Sequence, residues 1–229
     1  MHDDDHSYVW HRITATAGGD VTLAAACQAC AADVNADCLG ITLVVADDLR
    51  MLGHASDERA KLMEDAQLVS GEGPCTDAYV TGTLVEEADL HHAFERWPAF
   101  TQTAAEQHMR SVTALPLVIG ALRFGAVDFY RTAPGLLSPA EKTRALAYAR
   151  ILSLLTLDEH PHLLTAEFRL PRPGPQGYPA SVHVAAGILA EKHRLSTDDA
   201  LARLRAHAFR HNQPLLQTAD HVLANHTLD

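Results

Sequence analysis

Residues 110–131 read RSVTALPLVIGALRFGAVDFYR, two runs rich in β-branched and aromatic residues on either side of Gly120. Runs of this kind, joined by a short turn containing glycine, are typical of an antiparallel β-hairpin. A further β-rich run, LGITLVVA at 39–46, precedes an acidic turn and the segment RMLGHAS at 50–56, which predicts a second antiparallel pair. The sequence therefore predicts a mostly antiparallel sheet of about five or six strands.

Helical patterns stand on both sides of these strands. Leu23, Ala26, Cys27 and Cys30 recur at three- and four-residue intervals, as on one face of a helix, and a second helix is expected from Asp57 to about Leu68. Before the segment AEKTRALAYARILSLL at 140–155, a serine stands at the N-cap position and a proline at the first helical position. Helices that bracket an antiparallel sheet predict an α+β domain, here over residues 11–158.

The stretch RLPRPGPQGYP at 169–179 contains four prolines and two glycines. This density excludes a helix interior and a central strand, so residues 159–178 are predicted to be a linker between two domains. Residues 179–229 carry three amphipathic patterns with apolar residues at helical spacing, and they predict an all-α unit of three helices. A core of this size is marginal, which favours dimerisation or docking on the larger domain. The stripes are Val182, Ala185, Leu189 and Lys192; Leu201, Leu204 and Ala208; and Leu215, Ala219 and Val222.

Charge and hydropathy restrict the location and the partners. The chain of 229 residues has a net charge of -11 and no apolar run long enough for a membrane helix. Its acidic start, MHDDDHSYVW, is unlike an export signal, so residues 1–10 are expected to form a flexible acidic N-terminus of a cytoplasmic protein. Residues 178–229 differ from the rest because they hold five cations, five carboxylates and six of the 15 histidines, and they become basic when those histidines are protonated.

The cysteines are the residues most able to carry redox or metal chemistry in this sequence. Cys75 follows Pro74 at the start of an expected helix, where the helix dipole stabilises a thiolate, but no Lys or Arg lies within ten residues of it. Packing beside glycines is therefore favoured over redox or ligand chemistry for Cys75. Cys27 and Cys30 form a single C-x2-C pair with no second pair, so they too are expected to be core residues. No catalytic residue and no metal site is predicted.

Several motifs together resemble the actinobacterial GAF-ANTAR regulators. In the N-terminal part these are GEGPCTDAYVTG at 71–82, DLHHAFERWPAF at 89–100 and RSVTALPLVIGALRFGAVDFY at 110–130. In the C-terminal part they are AAGILAEKHRLSTDDALARLRAHAF at 185–209 and ADHVL at 219–223. The resemblance implies a GAF sensor domain followed by an ANTAR domain at 179–229 that binds stem-loops of a leader transcript as a homodimer and acts in transcription antitermination.

The resemblance also implies where ligands bind. An unidentified small molecule, or a partner, is expected between the sheet and the loops at 71–75 and 89–98, and no other cofactor is expected. The candidate ligand-binding residues are Gly73, Cys75, Trp97 and Phe100; the last two are expected either to close the pocket or to be ordinary core residues. Some GAF-fold enzymes reduce free methionine sulfoxide through cysteines, but their cysteine pattern is absent here, so a non-enzymatic regulator is expected.

Cations and stacking groups of the C-terminal unit are the candidates for RNA contacts. Arginines seven residues apart on one helix share a face and can meet phosphates, while Phe209 or a histidine can stack on a loop base. The candidates are Lys192, Arg194, Arg203, Arg205, His207, Phe209 and Arg210.

Two departures from the family pattern support an alternative function. Ala186 stands where many ANTAR domains have a lysine, and the proline-rich stretch interrupts the long coiled-coil helix that often joins the two domains. A ligand-sensing, redox-sensing or interaction module without effective RNA binding is therefore the alternative.

Overall fold

A five-stranded antiparallel sheet forms the centre of the N-terminal domain. The computed structural model describes residues 3–44, 50–164, 180–211 and 213–228. The strands are β1 (Cys38–Val44), β2 (Arg50–Ala55), β3 (Val85–Glu87), β4 (Ser111–Ile119) and β5 (Leu122–Arg131). Their order across the sheet is β2-β1-β5-β4-β3, and every neighbouring pair is antiparallel. Both sequence-predicted pairs are present, because β1 pairs with β2 and β4 pairs with β5.

Helices cover both faces of this sheet. On one face lie α1 (Asp3–Ala17), α2 (Leu23–Asp33) and α6 (Pro139–Glu159), whose apolar residues pack against Leu39, Ile41 and Phe129. On the other face lie α3 (Glu58–Ser70), α4 (Pro74–Thr81) and α5 (Pro98–Glu106), which enclose Tyr130. Because both faces are covered, every residue of β1 is buried.

The helix starts agree with the sequence signals. Ser138 caps α6 through a reciprocal capping box with Glu141, and Pro74 occupies the first turn of α4. Asp57 caps α3, and Gly71 ends that helix in the left-handed conformation at φ 72°.

Three helices form the C-terminal domain: α7 (Ala180–His193), α8 (Thr197–Arg210) and α9 (Leu215–Asn225). Their core contains Val182, Ala185, Leu189, Leu204, Ala208, Ala219 and Val222, so most of the predicted stripes are confirmed. Ser196 caps α8 by accepting from the backbone N–H of Asp199, and its hydroxyl lies 2.7 Å from the carboxylate of Asp199. An α+β domain followed by a three-helix domain confirms the predicted fold class.

Two boundaries differ from the prediction. Residues 3–10, expected to be a flexible tail, belong to α1, because Val9 and Ile13 are fully buried and hold that helix in the core. Of the predicted linker, Glu159 still belongs to α6 and Pro161–Leu164 form a 3-10 helix. Residues 165–179, which include most of the proline-rich stretch, lie outside the described residues. No helix in the described ranges is both long enough and apolar enough to cross a bilayer.

Gly125 is required by the pairing of β5 with β1. A Cβ atom at this position would lie 2.4 Å from the carbonyl oxygen of Thr42, so the two central strands would have to separate. We expect Gly125→Ala to lower the free energy of unfolding by about 3 kcal/mol, measured by urea denaturation. Gly187→Ala on α7 is the contrasting variant, because a Cβ at this position would have no atom from another part of the fold within 4 Å. Equal losses in the two variants would contradict this expectation.

Candidate functional site

A buried cluster of polar side chains lies between α3 and the centre of the sheet. Glu64 and Gln67 come from successive turns of α3, while Asp128 and Tyr130 alternate onto the same face of β5. These four side chains have 0% exposure, and Thr42 of β1 has 1%. The centre of a sheet normally buries apolar groups, so a polar cluster at this depth distinguishes the site from ordinary core.

Hydrogen bonds connect every member of the cluster. The hydroxyl of Thr42 donates to Glu64 at 2.6 Å, and the hydroxyl of Tyr130 lies 2.7 Å from Glu64 and 2.9 Å from Asp128. The amide nitrogen of Gln67 donates to Asp128 at 2.6 Å. Since a phenol has one proton, Tyr130 donates to only one of the two carboxyl groups, and its short contact with the other requires that carboxyl to be protonated.

Burial changes the protonation of both acids. It raises the pKa of Asp128 to about 7, with hydrogen bonds from Gln67 and Tyr130 acting in the opposite direction. Burial also raises the pKa of Glu64 well above its usual range, and the charge of Asp128 raises it further. The cluster therefore stores at least one proton near neutral pH.

Cys75 joins this cluster from the first turn of α4. Its backbone N–H donates to the side-chain oxygen of Gln67 at 2.8 Å, and its side chain is 3% exposed. Burial raises the pKa of the Cys75 thiol, and the charges of Asp128 and Glu64 raise it further, although Arg50 lowers it. The thiol form is therefore favoured, as the sequence interpretation of Cys75 as a packed residue expected. Cys27, Cys30 and Cys38 are also buried and free.

Two glycines make room for the cluster. A Cβ atom on Gly40 would lie 2.2 Å from a carboxylate oxygen of Glu64. A Cβ atom on Gly73 would lie 2.3 Å from the side-chain oxygen of Gln67, and Gly73 has a φ of 135°. Gly73, one of the predicted ligand-binding residues, is therefore needed here for its backbone conformation and for the space that it leaves to Gln67.

Trp97 and Phe100 do not border an opening. They are 1% and 0% exposed, and their rings meet edge to face with centroids 5.9 Å apart. This arrangement is that of core residues, one of the two expected roles, because α5 begins at Pro98 and packs both rings into the core beside Tyr130. The indole N–H of Trp97 is satisfied by Asp77 at 3.2 Å.

An open groove of about 950 Å³ lies instead between the outer sides of α3 and α5 and the facing side of α8. Its walls include Phe94 and Phe209, which are 64% and 54% exposed, together with Glu72 and Arg210. None of the four predicted ligand-binding residues lines this groove. Because both domains form its walls, a molecule bound in it would contact both of them.

Arg205 fastens α8 to the end of α3. Its Nε donates to the carbonyl oxygen of Val69 at 2.9 Å, and its Nη2 donates to that of Ser70. Carbonyl groups at a helix C-terminus lack intrahelical donors and carry the negative end of the dipole, so a guanidinium group suits them. Arg205 is thus directed at the N-terminal domain and borders the groove together with Arg210, whereas Arg203 does not line it.

The remaining predicted RNA contacts lie mostly at the surface. Lys192, Arg194, Arg203, Phe209 and Arg210 are exposed, and His207 is half-buried with its ring 4.2 Å from that of His211. Lys192 donates to the carbonyl oxygen of His226 at 2.8 Å, which ties α7 to the end of α9. Ala186 is fully buried, so its position is not part of the exposed cation surface.

Comparison with known proteins identifies the C-terminal domain. Residues 180–223 match the ANTAR domain family. This match covers α7, α8 and nearly all of α9, so the exposed arginines of α8 belong to the ANTAR domain. No curated protein matches the chain.

Solved structures resemble the N-terminal domain only distantly. The GAF domain of an Acinetobacter phosphoenolpyruvate-protein phosphotransferase is 15% identical over 70% of this chain and 98% of its own, with a TM-score of 0.49. The photoproduct state of a Synechocystis GAF3 domain is 14% identical over 63% and 97% of the two chains, with a TM-score of 0.49. A free methionine-R-sulfoxide reductase of Thermoplasma acidophilum is 18% identical over 58% and 89%, with a TM-score of 0.45. At these values the likenesses carry no argument about ligand or activity.

The buried cluster was missed by the sequence analysis, although one signal pointed to it. In GAVDFYR, at 125–131, Asp128 interrupts a run that otherwise reads as a buried central strand. A carboxylate at such a position needs a partner, and alternation places Tyr130 on its face. The contribution of α3 has no sequence signal, because Glu64 and Gln67 look like ordinary polar residues of an exposed helix.

Proposed function

We propose that this protein is a cytoplasmic, non-enzymatic regulator in which a GAF sensor domain controls RNA binding by the ANTAR domain in transcription antitermination. The observation that carries the proposal is the ANTAR match at 180–223 together with the exposed arginines of α8. In this proposal two chains act together, each holding one stem-loop, because five cations in one unit give weak phosphate binding.

The coupling between the two domains runs through α3. This helix carries Glu64 and Gln67 on its inner side and ends at the carbonyl groups that hold Arg205. A small molecule that changes the buried cluster or fills the groove would move the end of α3 relative to α8. Such a molecule shifts the population between a docked ANTAR domain and a released one, provided that it binds one arrangement better.

RNA titration of the full chain tests the proposal. Binding to a two-hairpin RNA at low salt, which weakens as salt rises, is the expected result, since phosphate contacts release counterions. No binding at any salt concentration, with or without candidate small molecules, would contradict it and favour a sensing module without effective RNA binding.

Substitution of Arg205 is expected to raise RNA affinity, in contrast to substitution of the exposed arginine Arg203. We expect Arg205→Gln to weaken docking and to raise the RNA affinity of the full chain severalfold, because the released ANTAR domain gains population. Small-angle scattering should show a larger radius of gyration for this variant. Arg203→Gln, on the exposed side of the same helix, is the matched control and should lower the affinity without changing the radius. A drop in affinity for both variants would place Arg205 among the RNA contacts and remove the docking role.

A further inference from the structure

We propose that Glu64, Cys75 and Asp128 form a binding site for one divalent first-row transition ion of the Zn²⁺ type. One carboxylate oxygen of each acid and the sulfur of Cys75 all lie within 4.8 Å of one another. Ligand atoms of a tetrahedral zinc ion stand roughly 3–4 Å apart, so small side-chain rotations bring these three onto one ion. This inference goes beyond RNA binding and does not depend on it.

An unpaired oxygen in the cluster points to a missing partner. Asp128 has no exposed surface, and its Oδ1 has no hydrogen-bond partner, although its Oδ2 contacts both Gln67 and Tyr130. A buried carboxylate oxygen without a donor is costly, and natural proteins rarely tolerate one unless an ion or water meets it. A cation held between Asp128, Glu64 and Cys75 supplies that partner.

Charge balance also favours a divalent ion. Two carboxylates and a thiolate carry three negative charges, while Arg50, 5% exposed, contributes one positive charge near Cys75. A divalent ion brings the buried group to neutrality, which is the state that a low-dielectric interior requires. The ion would replace protons that the acids and the thiol otherwise hold, so binding releases protons.

The donor types select the class of metal. Sulfur ligands disfavour Mg²⁺ and Ca²⁺, which prefer oxygen donors only, whereas Zn²⁺ accepts both thiolate and carboxylate. Three protein ligands leave a fourth position for water or a small molecule. Hydrogen bonds from neighbouring residues orient the three proposed ligands, as is usual around a metal ion. Thr42 and Tyr130 bond to Glu64. Gln67 bonds to Asp128 and to the backbone N–H of Cys75.

Cobalt spectroscopy on the full chain tests the site. Protein stripped with a chelator and incubated with Co²⁺ should develop thiolate-to-cobalt charge-transfer absorption that saturates at one equivalent, and Zn²⁺ should abolish it. Cys75→Ser should lose this absorption, whereas Cys27→Ser, in the other core, should keep it. Absorption that survives Cys75→Ser, or that is lost in Cys27→Ser, would overturn the assignment.

A melting experiment gives an independent readout. Zn²⁺ should raise the Tm of the stripped chain, and an equal concentration of Mg²⁺ should not, because only an ion bound to the native state stabilises it. The Zn²⁺-dependent rise should be lost in Asp128→Asn, provided that its near-ultraviolet circular dichroism matches that of the parent chain. If that variant does not fold, the parent chain still decides: no charge-transfer absorption and no rise in Tm with Zn²⁺ would refute the site.

Discussion

Replacing Arg203 and Arg210 together by glutamate is expected to lower the affinity of the full chain for hairpin RNA by at least roughly 100-fold. Both side chains are exposed on α8 and can donate to phosphates. Two charge-assisted contacts worth about 1.5 kcal/mol each account for this factor, and the reversed charges add repulsion. Gel-shift titration at low salt measures the change.

The salt dependence of the same titration separates phosphate contacts from nonspecific effects. Each lost contact should reduce the slope of log affinity against log salt by about 0.7–0.9. Arg150→Glu, an exposed charge reversal on α6, is the control for net charge, and it should be compared with the single variant Arg203→Glu. Equal losses for these two single variants would show that net charge alone, and no face of α8, governs binding.

The second large effect concerns the stability of the buried acids. In chelator-treated protein, the free energy of unfolding should fall as pH rises from about 4 to about 7, by an amount on the order of 4 kcal/mol. The sign follows from burial, which raises the pKa of Asp128 from 3.8 in a solvated state to about 7 in the fold. Between these values the native state holds more protons than the unfolded state, so rising pH favours unfolding.

Asp128→Asn should flatten this decline, since the amide stays neutral at every pH. Urea unfolding at several pH values measures it, and Asp158→Asn, an exposed carboxylate on α6, serves as the control and should retain the decline. Part of the slope persists in Asp128→Asn because Glu64 is buried in the same cluster. An unchanged slope in Asp128→Asn would mean that Asp128 keeps its charge in the fold.

The local sequence specified the secondary structure and the division of the chain. The hairpin of β4 and β5, the capping of α6 by Ser138 and the three stripes of the ANTAR domain all leave a pattern within a short stretch of sequence. Patterns of period two and three to four carry such information directly, so it could be read without coordinates. The sequence predicted a flexible tail where α1 begins, because the first turn of this helix is acidic. Among the described side chains of α1, only two, Val9 and Ile13, anchor the helix in the core, which is too few for a clear helical pattern.

The residues of the buried cluster, and the contact of Arg205 with α3, were decided only by the tertiary structure. Glu64, Cys75 and Asp128 come from α3, α4 and β5, and nothing in their spacing along the chain predicts that they converge. Arg205 was predicted to meet RNA from its position on α8, yet the packing of α8 against α3 directs it to two backbone carbonyl groups. The sequence by itself determined which segments form helices and strands, because that depends on neighbours along the chain. Which side chains face one another was decided by the packing of α3 between the sheet and α8, because such contacts join residues far apart in the chain.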